Sequence, residues 1–222
     1  MPTYRQLLED QTHNAVNKWS HYPEIYDEVF EPYRERSRAV LEIGVQNGGS
    51  IQLLTRMFPN AQVHGLDINP ICASLNGTLG DRAFVHIGDA TDLGTLAALP
   101  MFDVIIDDAS HIPLMQAVAF AYLFKNRLSS EGIYVVEDLE HSYLDWWHPD
   151  PWFALDNFFD FVRGRVDDMH GVYLDRNIGE RNPYALRIRK IEIYHGVVVF
   201  HRSDSLNVPE NLWWEGPRII DA

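Results

Sequence analysis

Between residues 38 and 137, five short, strongly apolar runs alternate with helical or turn-rich stretches, and that rhythm restricts the fold of this chain more than any other feature. The runs are RAVLEI (38–43), AQVHGLD (61–67), AFVHIG (83–88), FDVIID (102–107) and GIYVVE (132–137). Each is nearly continuously apolar rather than alternating, as expected of strands covered on both faces. SIQLLTRMF (50–58) and PLMQAVAFAYLFKNRL (113–128) read as helices between them, with Pro113 well placed as a first helical residue. A strand–helix rhythm of this kind predicts an α/β fold with a parallel, doubly wound sheet. Outside this block, residues 3–36 read as helical with a break near Pro23. Residues 151–166 read as one more amphipathic helix, and 170–185 as a long polar loop. Residues 188–203 (IRKIEIYHGVVVFHRS) read as two strands joined around His195-Gly196. At 222 residues the chain fits one domain, with an N-terminal helical segment (1–36) packed on a core unit (37–222).

Charge and composition exclude several classes of partner. The net charge of −14 repels phosphate backbones, so no nucleic-acid partner is expected; it suits divalent cations and neutral or cationic small molecules. No apolar stretch is long enough to cross a membrane, and the first residues lack the apolar core of a signal peptide. Cys72 is the single cysteine, which rules out an intrachain disulfide and makes a buried, inert thiol the expectation. These features together place the chain in the cytoplasm.

Three consecutive runs end in residues suited to a nucleotide-like ligand. The first leads into EIGVQNGGS (42–50), where glycines past a strand let backbone approach a ligand closely. The spacing is not that of the dinucleotide fingerprint, and a plain strand-to-helix turn is the alternative. The second ends in GLDINP, where Asp67 could accept both hydroxyls of a ribose or cap a helix ahead of Pro70. The third ends in IGDATD, where Asp89 could take an exocyclic amine, or Asp89 or Asp92 could cap the next helix. Ligands of open α/β sheets bind outside the carboxyl ends of the strands, which is where all three lie.

The fourth and fifth runs end in acids. Asp107-Asp108 closes one, and Glu137-Asp138 the other, within YVVEDLEHSY. If the two strands are neighbours they lie about 4.8 Å apart. Converging carboxylates repel unless protonated or bridged by a cation, and hard oxygen donors favour magnesium, calcium or manganese. Asp108, Glu137 and Asp138 are the candidate ligands. Strict alternation sends Glu137 and Asp138 to opposite faces, so the backbone must turn there or one of them stays outside the metal's shell. His111, three residues after Asp108, is placed beside such a metal and is free to act as a general base. A capping histidine and a solvated acidic rim are the alternatives.

Taken together, VLEIGVQNGGS, GLDINP, GDATD, IDDASH and EDLEHSY resemble the class I S-adenosylmethionine O-methyltransferases of the macrolide-sugar type, over about residues 17–143 and the closing hairpin. The upstream NKWSHYPEIYDEVF (17–30) is similar as well. The resemblance implies a Rossmann-like fold: a mostly parallel, seven-stranded sheet with a C-terminal antiparallel hairpin. It implies S-adenosylmethionine and Mg²⁺ as cofactors. By position it assigns Glu42, Gly44 and Ser50 to the methionine side of the cofactor, Asp67 to the ribose, and Asp89 and Ala90 to the adenine. Asp108, Glu137 and Asp138 become the magnesium ligands and His111 the base; Asp107 falls to the cofactor side or to structure. There are departures. The family's extra N-terminal domain has no counterpart in a chain of this length, Ala109 stands where glycine is usual, and Glu140-His141 replace smaller polar residues. The implied reaction is methylation of a hydroxyl on a small natural product, a sugar or a polyketide or phenol. A homo-oligomer is compatible with this reading. A non-methylating enzyme of hydroxylase or pericyclic type on the same fold, or a cofactor-sensing module, are the competing readings. Trp146, Trp147 and Trp152 could line an acceptor pocket or pack in the core, and His21 and Tyr22 could close over the cofactor or pack on the sheet.

Overall fold

The computed structural model describes residues 1–143, 157–173 and 182–205. Among these, seven strands form one sheet in the order β3-β2-β1-β4-β5-β7-β6. The parallel strands are β1 (Ala39–Ile43), β2 (Gln62–Asp67), β3 (Ala83–Ile87), β4 (Phe102–Asp107) and β5 (Leu128–Val136). β6 (Ile188–Tyr194) and β7 (Val197–Arg202) form a hairpin, and β7 pairs antiparallel with β5. Gly196 turns the hairpin with a positive φ of 79°. The expected sheet, its antiparallel pair and the adjacency of β4 and β5 are all present. Strand ends match the sequence reading within a residue or so, except that β5 starts four residues earlier, at Leu128. The expected helix 113–128 correspondingly stops at Asn126.

Alternate side chains of each strand enter two separate cores, which is why the strand sequences are apolar throughout. Val40, Val63, Val104, Ile106, Ile133, Val135, Val197 and Val199 face one core. It is closed by α1 (Tyr4–Glu9), α2 (Tyr22–Phe30) and α3 (Gly49–Met57). Leu41, Ile43, Leu66, Ile105, Tyr134, Val136, Val198 and Phe200 face the other. That side is closed by α4 (Leu93–Ala98), α5 (Pro113–Asn126) and α6 (Phe158–His170). No helix among the described residues is long and apolar enough to cross a membrane.

The N-terminal segment corrects the reading of 3–36 as helical with a break near Pro23. Residues 11–19 carry no helix, and Pro23 lies in the first turn of α2 rather than at a break. Proline is tolerated there because that turn's N–H groups have no helical acceptor anyway. Residues 151–156 of the helix expected over 151–166 lie outside the described residues, and the helix runs past the expected end. Its described part begins at Phe158, capped by the Asn157 side chain on the Phe159 N–H at 2.9 Å, and runs to His170. The expected loop 170–185 starts as a short 3-10 turn at Gly171–Tyr173 and ends in a turn before β6; residues 174–181 lie outside the described residues.

The two central strands meet at Gly44. Its φ of 97° is in the left-handed region, and a Cβ there would lie 2.2 Å from the carbonyl oxygen of Asp108. Both terms oppose any side chain. Gly44→Ala is expected to destabilise the fold by about 3 kcal/mol. Thermal unfolding should then show a melting temperature lowered by roughly 6–12 °C.

Candidate functional site

The parity of the strands sorts the acids. Glu42 shares a face with Val40, and Asp108 and Glu137 continue the faces of Ile106 and Val135; all three therefore point to the α1–α3 side. The register brings them level: Asp107 is opposite Ile43 and Val136, the Asp108 N–H donates to the Ile43 carbonyl at 2.9 Å, and the Glu137 N–H to the Asp107 carbonyl at 3.0 Å. β5 ends at Val136, and Asp138 takes a φ of 55°. That left-handed residue turns the backbone at the strand end, and the Asp138 carboxylate then lies with His111 and His141, while Asp108 and Glu137 gather on Lys18.

A lysine sits in the middle. The Lys18 ammonium is 2.5 Å from Asp108 Oδ2, 2.7 Å from Glu137 Oε2 and 3.8 Å from Glu42 Oε1, with its side chain only 3% exposed. Burial opposes its charge, but Glu137, Asp108 and Glu42 outweigh burial and hold its pKa well above the ordinary lysine value. One ammonium does not neutralise three carboxylates. Burial, and after it Asp108, still pushes the Glu137 carboxyl well up against the pull of Lys18. Burial raises Glu42 to about 7 despite Lys18 and a 2.5 Å hydrogen bond from the Ser50 hydroxyl. Glu137 Oε1 and Glu42 Oε2 are buried with no hydrogen-bond partner among the described residues. Orphaned carboxylate oxygens in a cluster still short of positive charge fit a hard divalent cation.

Tyr22 and two histidines complete this end. The Tyr22 hydroxyl donates to Asp138 Oδ1 at 2.7 Å and accepts from the Asp138 N–H at 3.1 Å. Tyr22, whose ring packs in the core on the α1–α3 side, thus fixes the acidic turn, which agrees with the packing alternative of the two readings left open for it. His21 Nε2 lies 2.9 Å from the His195 carbonyl, at the hairpin turn and likewise away from the glycine loop. His111, with φ 54°, precedes α5 and places Nε2 3.8 Å from Asp138 Oδ2. Burial lowers its pKa, against the opposing pull of Asp108 and Asp138, so the neutral imidazole is favoured. Its ring stacks on His141 at 4.7 Å between centroids. His141 Nδ1 lies 2.8 Å from the Asp138 carbonyl. Ligand atoms of His111, Asp138 and His141 lie within 4.8 Å of one another.

The other sequence-assigned residues line an adjoining groove. A cleft of about 340 Å³ runs past Glu42, Gly44, Ser50, Asp67, Asp108 and Asp138. A second of about 250 Å³, on the α5 side, holds Asp89, Ala90 and Asp107. Gly44, Asp67 and Ala109 border both. Asp67 accepts from the Val45, Gln46 and Asn69 N–H groups at 2.8, 3.0 and 2.8 Å. Burial works against its charge, but these donors hold its pKa below the usual value. Asp67 therefore ties the glycine loop to β2, and Asn69, not Asp67, caps the 3-10 turn at Pro70. Asp92 caps α4, while Asp89 accepts from the Thr91 N–H and hydroxyl, both at 2.7 Å. Cys72 is buried as expected, although it lies on the wall of the larger cleft. A third cavity of about 350 Å³ opens beyond the acids, lined by Asn17, Lys18, Trp19, His111, Asp138 and His141. Trp146, Trp147 and Trp152 lie outside the described residues.

Sequence reasoning missed Lys18. The signal was available: a buried acidic cluster needs a cation, the chain has only three lysines, and one lies inside the NKWSHY segment.

No protein-family model matches the chain. It is 33% identical over 178 residues to 8-demethyl-8-alpha-L-rhamnosyl tetracenomycin-C 2'-O-methyltransferase of Streptomyces olivaceus, covering 71% of this chain and 44% of that protein. It is 29% identical over 192 residues to demethylmacrocin O-methyltransferase of Streptomyces fradiae, covering 80% and 47%. The MycE methyltransferase of the mycinamycin biosynthetic pathway, solved with Mg and SAH, superposes with a TM-score of 0.76 at 26% identity, over 94% of this chain and 57% of that one. The same enzyme solved with mycinamycin VI as well gives 0.74 at 25%, with the same coverage. The chain is similar to these O-methyltransferases. It spans about half the length of the curated relatives it matches, and its fold is that of the methyltransferases.

Asp107 generates a stability prediction. It is buried on the α5 side, accepts from the Tyr134 hydroxyl at 3.0 Å, and is raised to about 7 chiefly by burial. A raised folded-state pKa means the folded protein holds a proton that the unfolded chain releases, so stability falls as pH rises from about 4 to about 7. Asp107→Asn keeps an acceptor for Tyr134 and removes that loss. It should raise the melting temperature by roughly 3–6 °C at pH 8, with the gain shrinking as the pH falls toward 5.

Proposed function

We propose that this chain carries the catalytic part of an S-adenosylmethionine- and Mg²⁺-dependent O-methyltransferase that acts on a sugar hydroxyl of a polyketide or macrolide-type natural product. The observation that carries this reading is the junction of two sites on one sheet edge. The glycine-loop cleft, with Glu42 and Ser50, runs past Asp108 and Asp138, and Lys18 joins Glu42 to Asp108 and Glu137 beside it. In this reading Gly44, Glu42 and Ser50 bind the methionine end of the cofactor. Asp67 keeps acceptor capacity for a ribose hydroxyl beyond its three N–H donors, and Asp89 and Ala90 face the adenine. Asp107 supports this second compartment from the sheet.

Asp108, Glu137 and Asp138 hold the cation. When bound, the cofactor supplies an activated methyl group, and the cation lowers the pKa of an acceptor hydroxyl and fixes its position. His111 takes the hydroxyl proton: its imidazole is kept neutral by burial, borders the third cavity and faces Asp138, which steadies the imidazolium that results. Tyr22 keeps Asp138 in place, and the His141 ring limits rotation of His111. The acceptor enters through the cavity between Trp19, His111 and His141, beside the ligands and away from the adenine compartment.

The test uses glycosylated polyketides with vicinal hydroxyls, methyl-labelled cofactor and Mg²⁺, and reads labelled methyl ether together with S-adenosylhomocysteine. Turnover should be abolished by EDTA and restored by Mg²⁺. Asp108→Asn should remove the metal response. His111→Ala should lower kcat by about 100-fold or more while leaving S-adenosylhomocysteine affinity unchanged. Turnover that survives both EDTA and His111→Ala would overturn the assignment. Retention of cofactor without methyl transfer, across the acceptor panel, would favour a non-methylating enzyme.

A further inference from the structure

We propose that Lys18 is a positioning residue for the divalent cation: it holds one oxygen of each of two ligand carboxylates and leaves the other oxygen of each to the metal. The proposal rests on the metal reading above. Its geometry is specific. Lys18 Nζ takes Asp108 Oδ2 and Glu137 Oε2, while Glu137 Oε1 has no hydrogen-bond partner among the described residues. A tetrahedral ammonium with three donors is suited to spanning two carboxylates from adjacent strands and turning their remaining oxygens in a common direction.

The ammonium is delivered by a segment that is fixed on both sides. Upstream, the Asn14 side chain donates to the Asn47 carbonyl at 2.7 Å, and Gln11 donates to the Asn14 carbonyl at 3.1 Å and to Gln52 at 2.9 Å. Ala15 packs so closely on the start of α3 that a Cβ on Gly49 would lie 2.2 Å from its carbonyl oxygen. Downstream, Trp19 Nε1 donates to Glu140 Oε1 at 2.8 Å. A lysine on a floating loop would pay rotamer entropy to hold this position; here the backbone is set before the side chain reaches in. The 3.8 Å approach to Glu42 adds a link to the cofactor side, because Glu42 is held by Ser50 in the first turn of α3. Outer groups that orient ligand carboxylates change metal affinity strongly when removed.

The experiment titrates the full chain with Mn²⁺ and follows free Mn²⁺ by electron paramagnetic resonance, for the wild type, Lys18→Met and Lys18→Arg. Lys18→Met should weaken Mn²⁺ binding by about 10–100-fold. Lys18→Arg keeps the charge but cannot place one nitrogen between both oxygens, so it should recover only part of that loss. The bound Mn²⁺ spectrum should broaden in both variants as the ligand arrangement loosens, a change that a purely structural lysine would not cause. Thermal unfolding in EDTA identifies any variant that fails to fold, and Lys18→Arg then decides alone. Equal Mn²⁺ affinity in wild type and variants overturns the proposal and leaves the metal reading standing. Tighter binding by the variants also overturns it, and marks the ammonium as a competitor of the cation. A wild type that binds no Mn²⁺ overturns the metal reading and this proposal with it.

Discussion

Three carboxylates, Glu42, Asp108 and Glu137, from the ends of three adjacent parallel strands meet around a single ammonium. The parallel arrangement makes this unavoidable once the acids are in the sequence. Strands that run the same way end at the same edge, and period-two alternation puts Glu42, Asp108 and Glu137 on one side of it. An antiparallel pairing of β4 with β5 would have sent the acids to opposite edges. Bringing such charges together costs free energy unless cations answer them, and Lys18 answers only part. Much of the surrounding structure serves this cluster. The segment before α2 carries the lysine, Tyr22 at the start of α2 secures Asp138, and the left-handed Asp138 itself folds the chain back toward the edge.

The same alternation divides the site in two. Asp107 and Asp108 are neighbours in sequence, yet they face different sides of the sheet, and their environments differ accordingly. Asp107 is enclosed beside Tyr134 and α5, where burial favours its neutral form. Asp108 faces a charged lysine. Gly44 is the hinge between the halves. It lets β1 turn away while its backbone lies against the Asp108 carbonyl, so the glycine loop and the acidic cluster share a wall without a side chain between them.

The parts of this arrangement differ in how far they could be read from the sequence. Strands buried on both faces leave an apolar run with sharp ends, so β1 to β4 were legible to about a residue. β5 was read late because its first residues, Leu128–Glu131, are mostly polar and include a left-handed Glu131. Leu128 pairs with Phe102 of β4 ahead of a register shift, a non-local fact. The N-terminal segment misled for a similar reason. Residues 11–19 are compatible with helix locally, but they carry no helix and are held by contacts to α3, to the glycine loop and to the acidic cluster. The candidate ligands were legible because they follow directly from strand ends. Lys18 was not, because its partners lie 90 and 119 residues away. Asp67 shows the reverse limit: its position at a strand end was evident, but its bonds to the glycine loop depend on the φ/ψ of that loop.

The compartments follow one another along the sheet edge in the order of the strands. The Asp89 compartment at β3 and β2 opens through Gly44 and Asp67 to the Glu42 cleft at β1. That cleft opens through Lys18, His111 and Asp138 to the cavity beside β4 and β5. A ligand extended along the first two compartments would present one end to the third, where the acids and His111 stand. A second molecule entering the third cavity would meet that end without displacing the first. This one-dimensional order is a consequence of strand order 3-2-1-4-5, with the crossover at β1 and β4 placing the glycine loop between the two halves. Lys18 contacts acids from the ends of β1, β4 and β5 at once and borders both the Glu42 cleft and the third cavity, so it stands at their junction.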